Sequence, residues 1–215
     1  PSLEPQLGVA RAVGLHELQV MRLLLDTCAD VDEAQATLLA VKDFYYFAPV
    51  HYLVADRTGR SFVYEHSTGR NVQHVLDGEG EPQVVTNFEL YRHHNEDPLG
   101  APLAPETNAF WRYRLLSDRI AGHRGSFEVD DLRGLSDADS FPGLYAGDRA
   151  LDDGCPVPDS GDGVATIRAR TLWHSLYDQA ANTLAVRFHP GEATESGGRQ
   201  AVRRTEDVTF ALGDG

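Results

Sequence analysis

The segment from His51 to His66 constrains the fold most. His51–Asp56 is mostly apolar, Arg57-Thr58-Gly59-Arg60 has turn chemistry, and Ser61–His66 is a second strand-like run. Two short strands around a glycine-containing turn predict an antiparallel hairpin, and Gly59 supplies the positive φ such a turn often needs. The elements on either side decide what packs on it.

Upstream, Leu15, Leu18, Met21, Leu24, Leu25 and Cys28 recur at helical spacing and predict a helix over 15–29. Asp30 with Glu33 three residues on is a capping-box arrangement that opens a second helix to about Tyr46, with Ala34, Leu38 and Val41 facing inward. Downstream, strands are expected near 71–76 and 83–86, the latter ending at Asn87. A polar loop at 88–104 leads to helices at 106–121 and 129–135. The stretch 146–163 is rich in Gly, Pro and Asp and predicts a mobile acidic loop. A final hairpin alternates over 166–177 and 184–189, and Val208–Leu212 reads as a terminal strand. Helices, strands, helices, strands in that order predict an antiparallel α+β fold rather than a doubly wound sheet.

Composition excludes several classes of function. The 215 residues carry a net charge of −14, which opposes binding to nucleic acid or to anionic lipid. No apolar run approaches the roughly 18 residues of a membrane span. Cys28 and Cys155 are the two cysteines, too few for a disulfide framework or a cysteine zinc site. The chain begins at Pro1 and Met21 is its sole methionine, so a processed, trimmed or incomplete chain is expected, with localisation left open and a cytoplasmic one favoured.

There is no G-x-S-x-G elbow, P-loop, H-E-x-x-H or G-x-G-x-x-G after a strand. His93-His94 with Glu96 and Asp97 could ligate a metal, but adjacent histidines in an extended loop point opposite ways, so a solvated loop is the better reading. Cys28 falls on the apolar stripe as a structural thiol. Cys155 lies among acids that disfavour a thiolate. No cofactor and no metal are expected.

Three blocks taken together carry a resemblance. The first is Leu23-Leu24-Leu25-Asp26-Thr27-Cys28-Ala29-Asp30-Val31-Asp32-Glu33-Ala34, followed by His51-Tyr52-Leu53-Val54-Ala55-Asp56-Arg57-Thr58-Gly59 and a strand ending in Glu65. The second is Val84-Val85-Thr86-Asn87-Phe88. The third is Trp111-Arg112-Tyr113 on a helix, with Thr171, Ser175, Tyr177 and Asp178 in the closing hairpin. In order and spacing, over most of 15–190, they resemble the Ntn-hydrolase group of choloylglycine hydrolases, penicillin V acylases and acyl-CoA:6-aminopenicillanate acyltransferases.

The resemblance implies an antiparallel α-β-β-α sandwich, incomplete in this chain, which would be the C-terminal portion of a single domain spanning 1–215. It implies hydrolysis of linear amide C–N bonds by an N-terminal cysteine produced by autocleavage, in a segment preceding Pro1. An acyltransferase of the same family and a non-catalytic binding module are the alternatives. Asn87 matches the asparagine of the "TN" strand end, whose amide serves the substrate carbonyl or oxyanion. Arg112 matches a helix arginine near the nucleophile, and its spacing from Ala109 and Leu116 places it at the edge of the buried stripe. The partners implied are a small-molecule acyl amide and the missing N-terminal segment, with a homo-oligomer left open. Phe44, Tyr45, Tyr46, Phe47 and Tyr52 are candidates for an acyl pocket, though core packing is the commoner role for such a cluster.

Overall fold

The structure, a computed structural model, describes residues 14–44, 50–67, 72–91, 108–138, 171–194 and 200–211. The chain divides into two compact units, Pro1–Leu103 and Ala104–Gly215. Both mix helix with antiparallel sheet, as the order of elements predicts. No helix among the described residues is long and apolar enough to cross a membrane.

In the first unit, β1 (Leu15–His16) leads directly into α1 (Glu17–Thr27). His16 caps the helix: its Nδ1 accepts the Leu18 N–H at 3.2 Å, and Gln19 Oε1 accepts the His16 N–H at 3.1 Å. α2 (Val31–Ala40) is capped by Asp30, which accepts the Glu33 N–H at 2.9 Å. The expected box is only half formed, because the Glu33 carboxylate takes the Ala29 N–H instead.

The second helix stops well short of Tyr46. Val41 is already extended, and β2 (Asp43–Phe44) pairs in parallel with Leu15–His16. Pairing between segments distant in sequence overrides helical periodicity at both of these ends. Tyr45, Tyr46 and Phe47 lie outside the described residues.

The hairpin forms as expected. β3 (Tyr52–Ala55) and β4 (Ser61–His66) pair antiparallel, and Gly59 has φ 85°. β5 (Gln73–Asp77) pairs on the other side of β4, giving the order β3-β4-β5. As the central strand, β4 buries Phe62, Val63, Tyr64 and Glu65 in succession, so both its faces are covered. Val20, Leu24, Val31, Ala34, Leu38, Tyr52, Phe62 and Tyr64 form the core beneath the two helices. Residues 83–86 join no ladder; Gln83 instead holds Ser61 Oγ and the Leu76 carbonyl with its side-chain amide.

In the second unit, α3 (Asn108–Gly122) and α4 (Val129–Ala138) precede β6 (Trp173–Asp178) and β7 (Thr183–Phe188). Asn182, with φ 53°, closes their turn. β10 (Val208–Ala211) adds to β7, and β8 (Gly191–Thr194) pairs with β9 (Gln200–Arg203). The strands at 52–66 and 173–188 therefore belong to separate sheets, one in each unit, where a shared sheet was expected. The acidic loop at 146–163 lies outside the described residues.

The β6–β7–β10 sheet is two-faced. Trp173, Ser175 and Tyr177 stand opposite Phe188, Val186 and Leu184, with Val208 and Phe210 next in register. This face is largely apolar, with Leu184 and Val186 half-buried but Trp173 56% and Tyr177 64% exposed. Against the other face α4 sets Arg133, Ser136 and Asp137.

Candidate functional site

Glu65 is a closely held acid of the first unit. Its carboxylate is buried, so it needs compensating donors. It accepts the backbone N–H of Leu90 at 2.9 Å and of Tyr91 at 2.7 Å, and His51 Nδ1 contacts the same group. The Tyr91 ring stacks at 4.1 Å on His74, the residue facing Glu65 across the β4–β5 ladder. The segment after residue 86 is thus fastened to the central strand.

That segment carries Asn87. Thr86 and Phe88 on either side are buried, and the Phe88 N–H reaches back to the Thr86 carbonyl at 2.9 Å. Asn87 is the middle residue of that three-residue turn, and it is exposed. An amide-bearing residue is therefore exposed between two buried neighbours.

Asp56, in the "AD-x-x-G" turn, has a structural role. Its Oδ2 accepts the Val31 N–H at the start of α2, and its Oδ1 accepts both the N–H and the hydroxyl of Thr58. The Thr58 hydroxyl, followed by the backbone donors, outweighs desolvation and holds its pKa below the ordinary aspartate value. Arg60 and Asp32 add a bidentate pair across the same junction.

A second buried pair joins β2 to β4. His66 Nε2 lies 3.2 Å from Asp43 Oδ1 and 2.7 Å from the Tyr64 hydroxyl. Burial raises the Asp43 pKa and lowers that of His66, so both groups are driven toward their neutral forms.

Arg112 is half-buried on α3 in the second unit, whereas Asn87 belongs to the first. Cys28 is the C-cap of α1, packs against the core and lies 3.4 Å from the Thr37 hydroxyl, in keeping with a structural thiol. Tyr52 is a core residue, and Phe44 is half-buried in β2. His93, His94, Glu96, Asp97 and Cys155 lie outside the described residues.

The second unit holds a polar cluster that the sequence reading missed. Arg133 and Asp137 on α4 meet Arg187 of β7 and the 204–207 segment. Arg133 pairs with Asp130 and Asp207, Arg187 Nε lies 2.9 Å from Asp207, and Arg204 Nε lies 2.7 Å from Asp137 Oδ1. Burial raises the Asp207 pKa, but bonds from Arg187 and Arg133 more than offset it and leave it depressed.

His189 is buried beside this network, and neither of its ring nitrogens has a well-formed hydrogen bond. Burial lowers its pKa, and Arg204 and Arg187 lower it further against the pull of Asp137. The His174 ring meets the His189 ring edge to face at 4.8 Å. The signal was the hairpin register: His174 faces Arg187, and His189 returns to that same face two residues later.

Neither the known protein-family models nor the curated proteins yield a match to this sequence.

Proposed function

We propose that the chain is part of an Ntn-type enzyme that hydrolyses linear amide C–N bonds, with acyl transfer to an amine as its close variant. The observation that carries the reading is the mounting of Asn87: an exposed amide at the tip of a turn whose following residues are clamped by buried Glu65. A preorganised donor of this kind suits an oxyanion that develops during acyl transfer.

In the reaction proposed, the thiol of an N-terminal cysteine outside these residues attacks the amide carbonyl while its α-amine takes the proton. The oxyanion accepts a hydrogen bond from the Asn87 amide. Collapse breaks the C–N bond and the proton passes to the departing amine, leaving a thioester. Water, deprotonated by the same amine, then releases the acid and restores the thiol. Arg112 is assigned to the neighbourhood of that cysteine by the resemblance alone. The partly exposed apolar face of the β6–β7–β10 sheet supports the sandwich, since a face of that character suits a second sheet packed on it.

The complete gene product, incubated with penicillin V, a conjugated bile salt and an N-acyl homoserine lactone, should release the amine from at least one. A thioester should be detectable by intact mass on rapid quenching. The 215 residues alone should release none. Turnover by the isolated chain that survives replacement of Cys28 and Cys155 would contradict the mechanism, and an inert complete protein would favour a binding module.

A further inference from the structure

We propose that Asp137, His174 and His189 form a binding site for a divalent first-row transition metal such as Zn²⁺. The proposal goes beyond the amidase reading and shares no residue with it. One ligand atom from each side chain lies within 4.8 Å of the other two. Two imidazoles and one carboxylate form a donor set suited to zinc, iron, cobalt or nickel rather than magnesium or calcium.

The fold supplies the convergence. β6 carries His174, and His189 follows the end of β7, its N–H held by the Leu172 carbonyl at 2.8 Å, so both rings come to one sheet face, where Asp137 of α4 meets them. His189 is 3% exposed, and among the described residues its ring nitrogens make no well-formed hydrogen bond, the Thr171 backbone being the one polar neighbour that acts on the ring as an acceptor, so a buried imidazole is left with a nitrogen to offer. In tetrahedral zinc, with bonds of about 2.1 Å, ligand atoms sit roughly 3.4 Å apart. Binding would draw the three ligand atoms from within 4.8 Å of one another to roughly 3.4 Å.

The nearby arginines do not forbid a cation. Among the described residues Arg133, Arg187 and Arg204 each lie against one of Asp130, Asp137 and Asp207, so each arginine charge has a carboxylate beside it. Arg204 engages Oδ1 of Asp137. Among the described residues Arg187 stands off at 3.9 Å from Oδ2, and one carboxylate oxygen of Asp137 lies within 4.8 Å of a ring nitrogen of each histidine. Arg204 then acts as the outer partner that orients the ligating carboxylate. Three protein ligands leave at least one position for water.

Titration of the 215-residue chain with CoCl₂ tests the proposal through visible d–d absorption. One saturable equivalent is expected, displaced by ZnCl₂ and unaffected by excess MgCl₂. His189→Ala and Asp137→Asn should each weaken binding beyond the roughly 10–100-fold typical of losing an outer partner. Far-UV circular dichroism checks folding. If His189→Ala does not fold, Asp137→Asn at its half-exposed position carries the test. No saturable spectrum, or one that persists unchanged in the variants, would overturn the proposal.

Discussion

The carboxylate of Glu65 accepts the backbone N–H of Tyr91 at 2.7 Å, joining the central strand of the first sheet to the segment just beyond Asn87. Glu65 also takes the Leu90 N–H at 2.9 Å, so two backbone donors converge on one buried acid. On the amidase reading proposed above, Glu65 acts as a positioning residue for Asn87.

Glu65→Gln should lower stability by about 1.5–3 kcal/mol, the range for a hydrogen bond to a charged group, because an amide N–H₂ would face a backbone donor. Urea unfolding of the 215-residue chain measures it. In the complete enzyme the same change should reduce kcat, and adding it to Asn87→Ala should cost little more than Asn87→Ala alone. Fully additive losses would separate Glu65 from Asn87.

Asp56 gives a pH signature. Its folded pKa lies below the ordinary value of 3.8, so its contribution to stability is present above that value and is lost as pH falls through the folded one. Asp56→Asn should therefore be less stable than the parent at neutral pH. The gap should close as pH drops below 3.8. Chemical denaturation from pH 7 to pH 2 checks this, and a gap independent of pH would deny the carboxylate its role.

Local features were legible in the sequence and long-range ones were not. The hairpin at 52–66, Gly59 in its turn and Asp30 as a cap depend on neighbouring residues. The end of α2 at Ala40 depends on Asp43–Phe44 finding Leu15–His16, which no helical period encodes. Likewise Gln83–Thr86 has strand-like residues but no ladder to join. At the candidate site, Asn87 and Glu65 were visible as separate marks, whereas the bonds from Leu90 and Tyr91 that connect them required the fold. The His174–His189 pair needed the strand register, and Asp137 needed a helix laid over the sheet.

Arg112→Ala in the complete enzyme should lower kcat/KM by roughly 10- to 100-fold, the equivalent of one charged hydrogen bond. Arg112→Lys should restore only part of that loss, because a lysine keeps the charge without the planar fork. Steady-state kinetics with the best amide substrate decides. Parent-like values in both variants would make Arg112 an ordinary half-buried residue of α3.

The most direct test of the amidase account is kcat for the Asn87→Ala variant of the complete enzyme, read by amine release and paired with its melting temperature. Loss of an oxyanion donor costs about 10²–10³ in kcat, and an exposed turn side chain adds little to stability. The account predicts a fall of that size with a melting temperature near the parent's. A kcat near the parent's, or one lost only together with the folded state, would contradict it.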